Sequence, residues 1–167
     1  LRLLAFVREL ELRNQFVEAL FDADNDVRRL ALQLVHNHRH QVDLHGVIRL
    51  MGAGLESDNE HLVESAIITL TKLRAKEMIP KLTSLLEHPN ESLRQRALES
   101  LTRLTFKSSE LSKEEWDAWF DEHGNEPEEL WLVRAMTSKS RERRKIAAKF
   151  LHRMPRRAVN YHTDNSE

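Results

Sequence analysis

The sequence predicts an all-α fold, an α-solenoid built from about four to five antiparallel helix pairs. Apolar residues recur at three- and four-residue spacing along almost all of the 167 residues, and no alternating strand pattern is visible. Only 4 Gly and 4 Pro are present, too few for a turn-rich β-sandwich or barrel. An apolar motif also recurs with a period of about 30 to 35 residues, which is typical of one structural unit copied along the chain.

The repeat consists of two alternating apolar signatures. One signature is a triplet with the spacing large-x-x-large-large, and the other is an apolar stretch that carries a single alanine. The triplets are Val17, Leu20, Phe21; Val47, Leu50, Met51; Leu82, Leu85, Leu86; and Trp116, Trp119, Phe120. The alanines are Ala31, Ala66, Ala97 and Ala135. We expect the first helix of each pair to carry the alanine, which permits close helix approach, and the second to carry the triplet.

Short polar side chains mark the starts of the helices, because they can accept hydrogen bonds from the free N–H groups of a first turn. Asp24, Asn59 and Asn90 occupy such positions, and Ser112 with Glu115 matches a capping box. The predicted pairs are 25–40 with 43–55, 59–74 with 76–87, 90–105 with 112–123, and 127–138 with 141–153.

Residues 1–21 fit a further pair whose first helix is cut short. Stacked pairs make one continuous core, so the sequence predicts a single repeat domain over residues 1–154. Its pairs lie near 1–21, 25–55, 59–87, 90–123 and 127–153. The polar segment 155–167 is predicted to be disordered. The chain begins at Leu1 inside a helical pattern, which is typical of a fragment or a processed product.

The last predicted pair admits two interpretations. Ala147, Phe150 and Leu151 fit a triplet, but they follow Ala135 by only 12 residues, against 16 residues between Ala31 and Val47. In the other interpretation, residues 139–153 form a helix of the alanine type.

The pattern resembles the HEAT-repeat family of α-solenoids. The matching segments are Asp26-Val27-Arg28-x-x-Ala31, Ser92-Leu93-Arg94-x-x-Ala97 and Ile79-Pro80-x-Leu82-x-x-Leu85-Leu86. Two positions, Val63 and Leu132, depart from the family's arginine three residues before the alanine. The segment from Leu104 to the W-x-x-W-F helix is similar to a variant in some bacterial HEAT proteins. The resemblance implies a right-handed superhelix that serves as a scaffold.

Charge and composition exclude several classes of function. Lys+Arg number 26 and Asp+Glu number 27, so the net charge of -1 favours neither nucleic acid nor an anionic membrane. The chain has no cysteine, which excludes disulfides and cysteine-bound zinc but identifies no compartment. No apolar run approaches the length that crosses a bilayer.

Three histidines, His36, His38 and His40, suggest a metal site. Only His36 and His40 would share a face of a helix, four residues apart, and His45 would be a third ligand if the turn folds back. The alternative is that these side chains end a helix, where imidazolium suits the negative end of the dipole. We expect no metal or other cofactor, with His36 and His40 as the remaining candidates.

The tryptophans Trp116, Trp119 and Trp131 accompany Asp117, Asp121 and Arg134. HEAT-like DNA glycosylases use aromatic side chains and an aspartate, so this cluster implies a possible base-excision site. The surrounding segment is strongly acidic, however, and would repel the phosphates of DNA. Trp116 and Trp119 also occupy triplet positions, so core packing explains them better.

The segment after Thr137 is basic, with Glu142 as its single acid up to Arg157. It fits a solvated cap of the last helix, a nucleic-acid contact, or a surface that docks on an acidic partner. Its basic residues are Lys139, Arg141, Arg143, Arg144, Lys145, Lys149, Arg153, Arg156 and Arg157.

No nucleophile, phosphate-loop or dinucleotide motif is present. The sequence therefore predicts a non-catalytic scaffold that binds a protein partner through the second helices of successive pairs. A nucleic-acid-binding solenoid, a HEAT-like glycosylase and a chromophore-lyase relative are the alternatives. The candidate contact residues are Arg49, Lys81, Ser84, Lys113, Asp117, Arg143 and Arg144.

Overall fold

A computed structural model of the chain describes residues 15–153 apart from positions 23, 39, 41 and 109. All regular elements in this part of the chain are helical, which confirms the predicted all-α fold. The α-helices are α1 (Asn25–Asn37), α2 (Leu44–Gly54), α3 (Glu60–Leu73), α4 (Ile79–Ser84), α5 (Glu91–Thr105), α6 (Lys113–His123), α7 (Glu128–Met136) and α8 (Arg141–Arg153). Short 3₁₀ turns lie at Ala19–Phe21, Lys76–Met78 and Leu85–Glu87. The first helix of the pair at 1–21 and the tail 155–167 lie outside the described residues.

Polar side chains cap the helices at the predicted starts. Asn59 Oδ1 accepts from the N–H of His61 at 3.0 Å, and Asn90 Oδ1 accepts from the N–H of Ser92 at 2.8 Å. The Ser112–Glu115 capping box is complete, because each side chain accepts from the backbone N–H of the other residue. These bonds satisfy donors that a helix cannot pair internally and so fix where α3, α5 and α6 begin.

The helices pack as a stack of neighbours. Helices α1, α3, α5 and α7 lie side by side, each in contact with the next. Helix α2 packs against α3, α4 packs against both α5 and α6, and α8 packs against α7. None of the described helices is long and apolar enough to span a bilayer.

The alanine positions form the centre of the stack. Ala31, Ala66, Ala97 and Ala135 are buried, with at most 2% of each residue exposed. Small side chains at these points let neighbouring helices approach closely. The triplets are less uniform, since Leu50 is 44% exposed while the other two members of its triplet are buried.

In three helices, an arginine of the first turns donates hydrogen bonds to carbonyl groups of the loop that precedes the helix. Arg94 Nη1 donates to the carbonyl oxygens of His88 and Pro89 at 2.7 and 2.8 Å, and Arg28 Nη1 donates to that of Asp22. Arg144 Nη1 repeats this contact on Ser138 and Lys139 at 2.6 and 2.8 Å.

Helix α8 therefore shares its capping contact with α1 and α5. It also carries the buried residue Ala147 three positions after Arg144. Both features favour the interpretation of residues 139–153 as a helix of the alanine type.

Arg74 joins four helices at the centre of the stack. It ends α3 in the left-handed conformation, with φ 59°. Its guanidinium donates to the carbonyl oxygens of Arg103 and Leu104 at 2.8 and 2.9 Å, which satisfies the open C-terminal end of α5.

The Arg74 guanidinium also connects the stack to its C-terminal helices. It forms an ion pair with Glu128 of α7 at 2.8 Å. It packs against the rings of Phe106 and Phe150, at 5.1 and 4.5 Å from their centroids, and the two rings also contact each other. Helices α7 and α8 are thus tied to the earlier repeats by charge-assisted hydrogen bonds and cation–π contacts.

Candidate functional site

The predicted contact residues on α2 and α4 lie at the protein surface. Arg49 is exposed, and no hydrogen bond or ion pair from its side chain occurs within the described part of the chain. Lys81 donates to the Gly52 carbonyl at 3.1 Å and pairs with Glu56 at 2.7 Å, so it links α4 to the end of α2. Ser84 is exposed, and its hydroxyl donates to the Pro80 carbonyl within α4.

The predicted contacts on α6 form a bridge between two helices. Asp117 Oδ1 accepts from the hydroxyl of Thr83 on α4 at 2.5 Å, and Asp117 Oδ2 pairs with Lys113 at 3.0 Å. Burial alone would raise the pKa of Asp117, but hydrogen bonds from Thr83 and Lys113 hold that pKa below its usual range. The hydrogen bond to Asp117 also raises the pKa of Lys113. The Asp117–Thr83 hydrogen bond therefore holds α6 against α4, and the Lys113–Asp117 pair lies within α6.

Arg143 and Arg144 lie on α8, and their side chains make different contacts. Arg144 is occupied by the two loop carbonyls described above. Arg143 Nε donates to the Phe106 carbonyl at 3.2 Å, and burial lowers the pKa of its guanidinium. Arg143 also lines a cavity, so the two adjacent arginines contact different parts of the protein.

The histidine candidates for metal binding do not share a helix face. Helix α1 ends at Asn37, so His40 lies in the following turn rather than one helical turn beyond His36. Among the residues with described positions, no cluster of three His, Asp, Glu or Cys side chains is arranged to hold a metal ion. Two separated histidines are fewer ligands than a zinc site needs.

The three tryptophans pack against one another at the C-terminal end of the stack. Trp116 and Trp131 are almost fully buried, whereas Trp119 is only partly buried. The Trp119 ring makes edge contacts with the rings of Trp116 and Trp131, at centroid distances of 6.1 and 5.1 Å. The indole N–H of Trp131 donates to the His123 carbonyl at 3.2 Å.

A cavity of about 180 Å³ opens beside this cluster. Its walls combine aromatic rings with cationic side chains, and its lining residues are Thr105, Lys107, Trp119, His123, Trp131, Arg134 and Arg143. Asp117, the acid of the glycosylase alternative, is absent from this lining. Sequence reasoning named Arg143 and the tryptophans but missed Lys107 and the cavity itself.

One signal in the sequence does point to this site. The residue four positions before the repeat alanine is Val27, Leu62 or Leu93 in α1, α3 and α5, and it is Arg143 in α8. A cation thus stands where the other helices of the alanine type place an apolar side chain. Such a substitution needs a reason, because burial of a charge is costly.

Comparison with known proteins gives one finding about family. A family model described as HEAT repeats matches residues 11–102, more than half of the chain. No curated protein matches the chain.

Proposed function

Since this chain belongs to the HEAT-repeat family, we propose that it is a non-catalytic scaffold that binds a protein partner along the face of α2, α4 and α6. HEAT repeats commonly serve as protein-interaction scaffolds, because stacked helix pairs present an extended surface. A fold alone does not establish a function, so the proposal depends on what this face offers.

The observation that carries the proposal is that side-chain contacts connect the three second helices α2, α4 and α6. Lys81 ties α4 to α2 through Glu56 and the Gly52 carbonyl. Asp117 ties α6 to α4 through Thr83. These contacts fix the relative positions of the helices before a partner arrives, which lowers the entropic cost of association. Arg49 is exposed on α2, and its side chain makes no hydrogen bond or ion pair to any residue that the structure describes, so it is available to a partner.

The surroundings of Asp117 favour binding over catalysis. A catalytic acid or base must reach a substrate from an accessible position. Both Asp117 carboxylate oxygens are instead engaged by Thr83 and Lys113, and the residue lies outside the lining of the tryptophan cavity. We therefore propose that Asp117 and Trp116 stabilise the stack.

Reversal of the charge at Arg49 tests the proposed face. The full chain, immobilised as wild type or as Arg49→Glu, is used to capture partners that are then quantified by mass spectrometry. We expect a protein recovered by the wild type to fall by about fivefold or more with Arg49→Glu, because a reversed interfacial charge weakens association. Arg29→Glu is the matched control, since Arg29 is an exposed arginine on α1 with a side chain that is 74% accessible. Equal recovery by all three proteins would reject this face as the binding surface.

Helix α8 supports a second candidate, a nucleic-acid contact. Arg141, Lys145 and Lys149 are exposed and follow one another at four-residue spacing, so they share one face of the helix. Fluorescence anisotropy with a labelled duplex at two salt concentrations distinguishes the candidates. Binding that weakens steeply with salt, and that the triple change to Gln abolishes, would support a nucleic-acid function. Absence of binding would leave the protein scaffold as the function that the surface supports.

A further inference from the structure

Two cations, Lys107 and Arg143, line the cavity beside the tryptophan cluster. No carboxylate among the described residues forms an ion pair with Lys107 or with Arg143. Burial first, and then the positive charge of Arg143, lower the pKa of Lys107, while the negative charges of Glu122 and Glu115 act in the opposite direction. Burial and the repulsion from Arg143 outweigh these two glutamates, because the pKa of Lys107 stays below its usual range, so an anion that entered the cavity would be stabilised.

The other polar groups of the cavity are already engaged. Arg134 is neutralised by Glu126, to which it is bound through both of its terminal nitrogens. His123 also contacts Glu126, and the Thr105 hydroxyl donates to the Leu101 carbonyl. Together with the occupied Trp131 N–H, these contacts leave the ammonium group of Lys107 and the terminal nitrogens of Arg143 as donors for a ligand, because Arg143 Nε already donates to the Phe106 carbonyl. A ligand that fits must accept hydrogen bonds and carry negative charge.

The size and the walls of the cavity limit that ligand further. A closed cavity of about 150 Å³ accommodates benzene, so about 180 Å³ suits an oxyanion together with a short apolar stem. Lys107 Nζ lies over the Trp119 ring, 5.5 Å from the ring centroid, so an apolar stem beside the ammonium group can contact the rest of the ring while its oxygens reach Nζ. Larger ligands would have to remain at the surface.

We propose that this cavity is a binding site for an oxyanion, a carboxylate or phosphate group carried on a side chain of the protein partner. Lys107 and Arg143 contact the oxygens, and Trp119 contacts the stem. The statement that a protein partner carries the oxyanion rests on the scaffold function proposed above. The oxyanion site itself does not depend on that function.

Tryptophan fluorescence of the full chain provides a direct test. All 3 tryptophans of the sequence belong to the cluster beside the cavity, so their emission reports on its occupancy. The probes are inorganic phosphate, a capped glutamate peptide, the same peptide with phosphoserine, and a glutamine peptide as the neutral counterpart. We expect a saturable change in emission with the anionic probes and none with the glutamine peptide. A preference for a peptide over inorganic phosphate would identify the carrier of the oxyanion as a side chain.

Charge-removing variants identify the residues that bind. We expect Lys107→Gln and Arg143→Gln each to weaken binding of the anionic probes about tenfold, because each removes a charge-assisted hydrogen bond. Arg141→Gln and Lys145→Gln are matched controls on α8 that remove the same charge from exposed positions, and we expect their affinities to stay within about twofold of the wild type. Circular dichroism verifies that each variant is folded, and Lys107→Gln, at a loop position, preserves the test if Arg143→Gln unfolds.

Two results would overturn the oxyanion site. One is the absence of a saturable change with any anionic probe. The other is an equal loss of affinity in the α8 controls and in the cavity variants, which would indicate general attraction to a basic surface. Either result would leave capture of a partner through Arg49 unaffected. Conversely, if the chain bound the anionic probes but captured no protein, the proposed scaffold function would be rejected and the oxyanion site would be retained.

Discussion

Replacement of Arg74 by alanine is expected to lower the free energy of unfolding by about 3 kcal/mol. The change leaves Glu128 without its cation and removes two donors from the carbonyls that end α5. It also removes the cation–π contacts with the rings of Phe106 and Phe150. Urea denaturation followed by tryptophan fluorescence measures the effect, because the tryptophans lie in α6 and α7.

Two further variants separate the parts of the Arg74 effect. Arg103→Ala removes an exposed arginine that lies 3.8 Å from Glu99, and it should cost less than about 0.5 kcal/mol. Arg74→Gly removes the same contacts as Arg74→Ala but relaxes the left-handed backbone, so it should be less destabilising than the alanine variant by up to about 1 kcal/mol. An alanine variant as stable as Arg103→Ala would contradict the role of Arg74 as the link between α3, α5, α7 and α8.

Replacement of Trp116 by alanine is expected to lower the free energy of unfolding by about 3 to 5 kcal/mol. Trp116 is completely buried, and it takes the triplet position that Val47 and Leu82 occupy in α2 and α4. Loss of the indole leaves a void that the surrounding helices cannot fully close. Urea denaturation followed by far-UV circular dichroism measures the change without depending on the tryptophan signal.

Trp116→Phe is the matched control for the alanine variant. The indole N–H of Trp116 has no hydrogen-bond partner among the residues that the structure describes, so phenylalanine removes a buried donor while keeping an aromatic ring in the core. We expect a cost of no more than about 1.5 kcal/mol, since the lost volume is partly offset by the loss of an unpaired polar group. An alanine variant within about 1 kcal/mol of the wild type would mean that Trp116 is dispensable to packing, contrary to its burial.

Much of the fold could be predicted from short-range patterns in the sequence. Asn59, Asn90 and Ser112 cap the helices whose starts they predict, because an N-cap depends on residues within one turn. The alanine positions are buried as expected, because each repeat places its alanine at the same kind of contact between neighbouring helices.

The contacts of Arg74 and Lys107 were not visible in the sequence. Arg74 lies 54 residues from Glu128, and no local pattern links two positions so far apart. The cavity likewise depends on how the end of α5, the loop before α6, and the helices α6, α7 and α8 come together. Arg143 gave the one local sign, a cation at an apolar position of the repeat, and its significance required the neighbouring charge of Lys107. The face of α2, α4 and α6 remains a proposal, because exposure alone does not identify a partner.

Each helix pair shares its hydrophobic core with adjacent pairs, and this neighbour-to-neighbour packing underlies both the extended face and the C-terminal cavity. Far-UV circular dichroism of a chain that ends at residue 108 tests it most directly, because the cut removes α6, α7 and α8 and leaves α1 to α5 intact. We expect the shortened chain to keep its helical signal per residue and to unfold cooperatively at a lower urea concentration than the full chain. Loss of the helical signal would contradict a stack of neighbours and would indicate a core shared by the whole chain.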